Sequence, residues 1–104
     1  MMSKQADSAV GLKLKVVTTD GQEFFDLRGD AITIGRARDN NLILRDARAS
    51  RYHARLEQGK TGWSVKDTGS QNGTFVNDQR VGTHRLQSGD VIAIGETRFI
   101  VHLR

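Results

Sequence analysis

Three short polar clusters hold the residues that could do chemistry: Ile34-Gly35-Arg36, Ala49-Ser50-Arg51-Tyr52-His53 and Gly69-Ser70-Gln71-Asn72-Gly73-Thr74. They offer guanidinium groups, a hydroxyl and side-chain amides, the groups that hold a phosphate and a peptide backbone. Gly35 lets the chain turn sharply after an apolar run, and Arg36 then aims a planar donor fork outward, although an ordinary exposed arginine fits the same place. Ser50 either caps its turn or donates its hydroxyl to an anion, with its backbone N–H as a second donor. Ser50 with His53 also suggests a hydrolase. A nucleophilic serine needs a histidine in reach and a third group to orient it. Three residues apart at the start of a strand, the two side chains point to opposite faces. Asn72-Gly73 is a common hairpin signal, yet the Asn72 amide carries both a donor and an acceptor and could clamp a peptide N–H and C=O at once. His84 and His102 are too scattered for a metal site. No cofactor or metal is implied.

The chain has 104 residues and a net charge of +4, with eleven Arg against five Lys. Six arginines (Arg36, Arg38, Arg45, Arg48, Arg51 and Arg55) fall in one short stretch, with Asp39, Asp46 and Glu57 among them. The stretch is either a solvated surface or an anion-binding face. Arginine's fork suits phosphate or carboxylate, whereas a nucleic-acid tail would be more uniform and richer in lysine. There is no cysteine or proline, so disulfides and thiolate sites are excluded. No apolar run reaches the ~20 residues of a membrane span, and residues 1–10 lack the apolar core of a secretory signal. The expectation is a flexible arm over 1–10 and one cytoplasmic domain over 11–104.

Positioning these clusters requires strands. Leu12, Leu14 and Val16 alternate with Lys13, Lys15 and Val17, and Asp20-Gly21 turns the chain. Further strands are expected over Glu23 to Leu27, Ala31 to Ile34, Asn40 to Leu44, His53 to Gln58 and from Trp63 to Asp67. Short pieces follow at Thr74 to Val76, Gln79 to Val81 and His84 to Leu86, around turns at Asn77-Asp78 and Gly82. A final hairpin joins Asp90 to Ile94 with Thr97 to Leu103. No window has a helical period, so the pattern predicts an all-β sandwich. Trp63, Phe24, Phe25, Phe75 and Phe99 lie on alternating runs and are read as core.

In this order and spacing, Gly35-Arg36, Ser50-x-x-His53 and Asn72-Gly73 resemble the forkhead-associated (FHA) domain from about Leu12 onward. Asp67, Ser70, Thr74, Val76, Asn77 and Leu86-x-x-Gly89-Asp90-x-Ile92-x-Ile94-Gly95 add to the resemblance. It implies an eleven-stranded β-sandwich that binds phosphothreonine peptides through loops at one end, without catalysis. Arg36 and Ser50 would hold the phosphate, with Arg51 in support, and Asn72 would grip the peptide backbone after the phosphothreonine. Gln71 stands where many members carry threonine or serine, so position 71 either helps bind phosphate or shapes specificity. Arg48 is either plain surface charge or a reader of acidic or polar side chains three residues past the phosphothreonine. Gly35, His53, Gly73 and Asn77 would shape the loops, as would Ser70, and Tyr52 either packs or partly covers the peptide. The expected partner is a protein phosphorylated by a Ser/Thr kinase, bound by a monomer. The alternatives are a phosphate-independent scaffold that uses a sheet face, or a nucleic-acid binder that uses the Arg-rich face. Against the latter, no stacking motif is present.

Overall fold

The computed structural model describes residues 11–27 and 29–103, so the expected arm over 1–10 lies outside the described residues. These residues form eleven strands and no helix. They are β1 (Leu12–Thr18), β2 (Gly21–Leu27), β3 (Ala31–Gly35), β4 (Leu42–Ile43), β5 (Ala54–Gly59), β6 (Gly62–Asp67), β7 (Thr74–Val76), β8 (Gln79–Val81), β9 (Thr83–Arg85), β10 (Val91–Ile94) and β11 (Thr97–Leu103). One sheet has the order β2-β1-β11-β10-β7-β8 and the other β4-β3-β5-β6-β9. Strand pairing is antiparallel except between β3 and β4.

Alternation builds the core. Leu12, Leu14 and Val16 of β1 stand opposite Leu103, Val101 and Phe99 of β11. From the second sheet Ile32, Ile34, Leu56, Trp63 and Val65 complete the interior. Trp63 and Phe99 are buried and Phe25 packs against the core cluster, but Phe24 is not core. Neighbours on a strand face opposite ways, so with Phe25 turned inward Phe24 is 57% exposed. The Lys13 ammonium lies 5.2 Å from its ring centroid, within cation–π range. Phe75 is half-buried, between buried Thr74 and Val76.

Two local expectations change. The strand over Asn40 to Leu44 shrinks to Leu42–Ile43, because Asn41 is occupied in side-chain bonding. Its Oδ1 accepts from the Thr33 N–H at 2.9 Å, and its own N–H donates to Thr33 Oγ1 at 3.1 Å. Asn72-Gly73 makes no hairpin, because β6 and β7 lie in different sheets. The tight turn is Asn77-Asp78 between β7 and β8, with φ of 50° and 72°, the left-handed pair such a hairpin requires. Asn77 braces it by donating to Asp90 Oδ1 at 3.0 Å and accepting the Val91 N–H at 3.0 Å.

Gly35 ends β3 for a reason other than a turn: its φ is not left-handed. A Cβ there would overlap the Arg51 carbonyl, with the carbonyl carbon 2.8 Å away and Asn40 Nδ2 2.9 Å away. That carbonyl accepts from the Ala37 N–H at 3.0 Å and from Asn40 Nδ2 at 2.8 Å, so glycine lets two loops interlock. Gly35→Ala is therefore expected to cost about 2–3 kcal/mol through forced backbone movement. Urea unfolding would show a lowered midpoint with an unchanged slope. An unshifted midpoint would mean the loops have room for a methyl group.

Candidate functional site

The loops 36–41, 44–53 and 68–73 leave β3, β4 and β6 and meet at one end of the sandwich, where side chains bind them together. His53 is fully buried between them. Its Nδ1 lies 2.9 Å from the Ser50 backbone N and its Nε2 lies 2.9 Å from the Gly73 carbonyl. A backbone N–H can only donate, so Nδ1 is the acceptor and Nε2 carries the proton, which defines a neutral tautomer. Its main chain links two more segments, donating to the Ile34 carbonyl and accepting from the Thr68 N–H. The Ser50 N–H is thus spent on His53 and is not the second anion donor the sequence suggested. The same contact removes the hydrolase arrangement, because the imidazole acceptor faces the serine backbone rather than its hydroxyl.

Asp67 organises the third loop. Its Oδ1 accepts from the Gly69 and Ser70 N–H groups, each at 2.9 Å. Its Oδ2 accepts from the Ser70 hydroxyl at 2.5 Å and the buried Thr74 hydroxyl at 2.7 Å. Ser70 Oγ in turn accepts from the Gly73 N–H at 2.9 Å. Burial pushes the Asp67 carboxyl up, but the Ser70 and Thr74 hydroxyls and the Ser70 and Gly69 N–H groups outweigh it and hold the group at about 2. Asp46 does comparable work in the second loop. Its carboxylate accepts from the N–H groups of Arg48 and Glu96 at 3.0 and 2.8 Å, and from the Thr97 hydroxyl at 3.0 Å. Burial opposes these bonds too, yet its carboxyl sits below the ordinary range. Asp46 was not a sequence candidate, and Asp67 entered only as a mark of the family resemblance. The signal at Asp67 was Gly69 and Ser70 two and three places on, the pattern of a side chain that folds back on its own backbone, whereas Asp46 finds Glu96 and Thr97 far along the chain.

Arg36 leaves β3 exposed, and its Nε donates to the Ala49 carbonyl at 2.6 Å. That bond orients the guanidinium and leaves both terminal nitrogens without a partner among the described residues. Ser50 Oγ accepts from the Gln71 N–H at 3.0 Å, so its own hydroxyl hydrogen remains to be donated. Asn72 is exposed and donates one amide hydrogen to the Arg48 carbonyl at 2.8 Å, keeping Oδ1 and the other amide hydrogen available. Arg48, Arg51 and Gln71 are exposed on the same loops. Gly73, with φ of 96°, lies beneath the Arg80 side chain. Tyr52 neither joins the core nor lies free. It is 50% exposed and its hydroxyl donates to both Asp39 oxygens, at 2.9 and 3.0 Å. Asn77 sits in the β7–β8 turn rather than among these loops. Among the described residues Arg55 pairs with Glu57 at 2.8 Å, and His84 Nε2 lies 3.6 Å from Asp90 Oδ2. Arg36, Arg38, Arg45, Arg48 and Arg51 have no carboxylate partner among the described residues, and no cluster of His, Cys, Asp and Glu among them could hold a metal.

The Asp67 contacts predict a pH dependence. The folded-state value of about 2 lies below the ordinary 3.8, so the stabilisation is complete above the ordinary value and is lost as pH falls through about 2. The group is partly solvated, so the contribution is about 1–2 kcal/mol. Unfolding of wild type and Asp67→Asn should differ by that amount at neutral pH and converge near pH 2. A gap that persists at the acid end would mean that the carboxylate charge is not what holds the loop.

The chain is similar to several known proteins. Over 70 residues the chain is 44% identical to the ABC transporter ATP-binding/permease protein Rv1747 of Mycobacterium tuberculosis, covering 67% of this chain and 8% of that protein. Over 67 residues it is 43% identical to the FHA domain-containing protein FhaB of the same species, covering 64% and 43%. The chain thus spans less than half the length of these relatives. Among solved structures, it superposes on an FHA domain from a study of phosphothreonine-dependent FHA domain interactions. The TM-score is 0.82 at 31% identity, covering 90% of this chain and 97% of that one. It also matches the FhaA FHA domain complexed with the intracellular domain of Rv3910, with a TM-score of 0.80 at 32% identity, covering 88% and 99%. The FHA domain family model matches residues 32–95. With that match over more than half its length, on a sandwich whose loops meet as described, the chain belongs to the FHA domain family.

Proposed function

We propose that this chain is a phosphothreonine-dependent protein-interaction module in Ser/Thr-kinase signalling, working without catalysis and without a cofactor. The observation that carries the reading is Arg36, held through Nε by the carbonyl of Ala49, the residue before Ser50, with its terminal nitrogens open, beside a Ser50 hydroxyl whose hydrogen is still to be donated. A guanidinium fork and a hydroxyl on a rigid backbone suit a dianionic phosphate, and charge-assisted bonds are the strong ones. Arg51 adds positive charge. Asn72 offers one donor and one acceptor to the peptide main chain after the phosphothreonine, and Arg48, whose carbonyl Asn72 holds, reads the third residue on. Gln71 borders the phosphate position through its backbone link to Ser50, and its side chain belongs to specificity. The domain is 11–104, acting as a cytoplasmic monomer.

Phosphopeptide titration tests the site. Arg36→Ala removes charge-assisted bonds of about 1.5–3 kcal/mol and is expected to weaken binding roughly 10- to 1,000-fold. Arg36→Lys restores the charge without the fork and should recover only part of the loss. Ser50→Ala deletes a neutral donor and is expected to cost less, ~1–2 kcal/mol. A change under threefold for Arg36→Ala removes Arg36 from the phosphate site, and survival of binding in that variant favours a phosphate-independent scaffold.

A second measurement concerns the ligand. Phosphothreonine is expected to bind more tightly than phosphoserine, because the FHA resemblance implies that the extra methyl fills a small apolar space between the loops. Burying one methyl is worth ~0.8 kcal/mol. Isothermal titration with peptides that differ only in that methyl decides it, and equal affinities would exclude a methyl pocket.

A further inference from the structure

A groove of about 660 Å³ begins at Arg48 and runs between β4 and the tips of the β1–β2 and β10–β11 hairpins. Of its lining, the phosphopeptide reading uses Arg48 alone. Val16, Phe25 and Leu44 line it together with Ile43, which is 49% exposed, an unusual state for a large apolar side chain in this small domain. Arg45 and Arg48 line the same groove with no carboxylate partner among the described residues. Asp20, Glu23 and Glu96 line it from the hairpins, so its charge changes sign across its width. Asp46 is also there, but its carboxylate is occupied by donors from Arg48, Glu96 and Thr97.

Two facts identify an occupant. Arg48 belongs both to the groove and to the peptide path, because its carbonyl holds the Asn72 amide. The groove also borders β4, which ends the five-stranded sheet and leaves one edge unpaired. An extended chain leaving Asn72 past Arg48 would meet apolar surface, an unpaired arginine and a strand edge in succession, the combination that captures extended peptides. We propose that the groove is a second subsite for the bound phosphopeptide, taking the stretch C-terminal to the residue that faces Arg48. An acidic side chain meets Arg45 and an apolar one packs against Ile43 and Phe25. Acidic residues deeper in the groove are disfavoured by Asp20, Glu23 and Glu96. The inference rests on the phosphothreonine reading, which supplies the direction of the peptide.

The test uses the full chain and two phosphothreonine peptides. One ends three residues after the phosphothreonine. The other is extended by Asp-Ser-Leu-Ser, which puts its acidic and apolar side chains on one side of an extended chain. The extension is expected to tighten binding to wild type roughly five- to tenfold. Ile43→Asp should erase that gain while binding the short peptide as wild type does, and Arg45→Ala should reduce the gain. An extension worth less than twofold in wild type overturns the groove subsite, as does a full gain in Ile43→Asp. If Ile43→Asp loses the short peptide through misfolding, Arg45→Ala decides, and an undiminished gain there overturns the subsite. If wild type binds neither peptide better than its unphosphorylated form, the phosphothreonine reading falls and the subsite with it.

Discussion

One buried imidazole holds the binding end together. His53 joins the Ser50 N–H to the Gly73 carbonyl through its two ring nitrogens, each at 2.9 Å, while its backbone is bonded to Ile34 and Thr68. No water competes for these bonds inside the protein, where a satisfied polar network is strong and an unsatisfied one is costly. Removing the ring would strand a donor and an acceptor from two different loops. The position of Ser50, and through it of the Gln71 N–H, therefore depends on a residue that need never touch a ligand. A Ser-x-x-His pattern that suggests hydrolysis in the sequence is, in the fold, a spacer of defined length between two loops.

The acids of this end explain why its arginines are available. Asp67 accepts bonds from four donors and Asp46 from Arg48, Glu96 and Thr97, and every one of these donors is a backbone N–H or a hydroxyl. Asp39 is turned toward Tyr52. Carboxylates that could have neutralised Arg36, Arg48 or Arg51 instead satisfy main-chain donors that the loops leave over. Arg36 is oriented by a carbonyl, Nε to Ala49, which leaves its positive charge uncompensated. Like charges gathered this way destabilise the unliganded protein slightly and attract an anion strongly. The groove beside Arg48 continues the same arrangement, with Arg45 unpaired and the Asp46 carboxylate taken up by N–H and hydroxyl donors.

Alternating apolar residues made most strands legible, and β7, β8 and β11 begin and end where the sequence pattern puts them. The period of two is a local property, so it can be read without a partner strand. The three polar clusters were legible for a related reason, since turn formers and hydrogen-bonding side chains end the apolar runs. Legibility failed where a residue's partner was distant. Asn72-Gly73 carries a hairpin signal, yet it lies in a crossing between sheets tied down by Asp67, His53 and Arg48. Phe24 and Phe25 carry the same type of side chain, and only the registry with β1 decides which of them turns inward.

The amino-acid order by itself determined an all-β sandwich, one arginine-rich face and the identity of the anion-binding candidates, because composition and period need no third dimension. Only the tertiary structure decided how those candidates are used. It spent the Ser50 N–H on His53, made Gly35 a matter of clearance for the Arg51 carbonyl, and assigned Asp46 and Asp67 to the backbone. It also opened a groove beside Arg48. The His53 link to Gly73 and the Asp46 bonds to Glu96 and Thr97 depend on atoms 20 to 51 residues apart in the chain coming within hydrogen-bond distance. Such distances are set by how two sheets stack and where their loops converge, which no local pattern encodes.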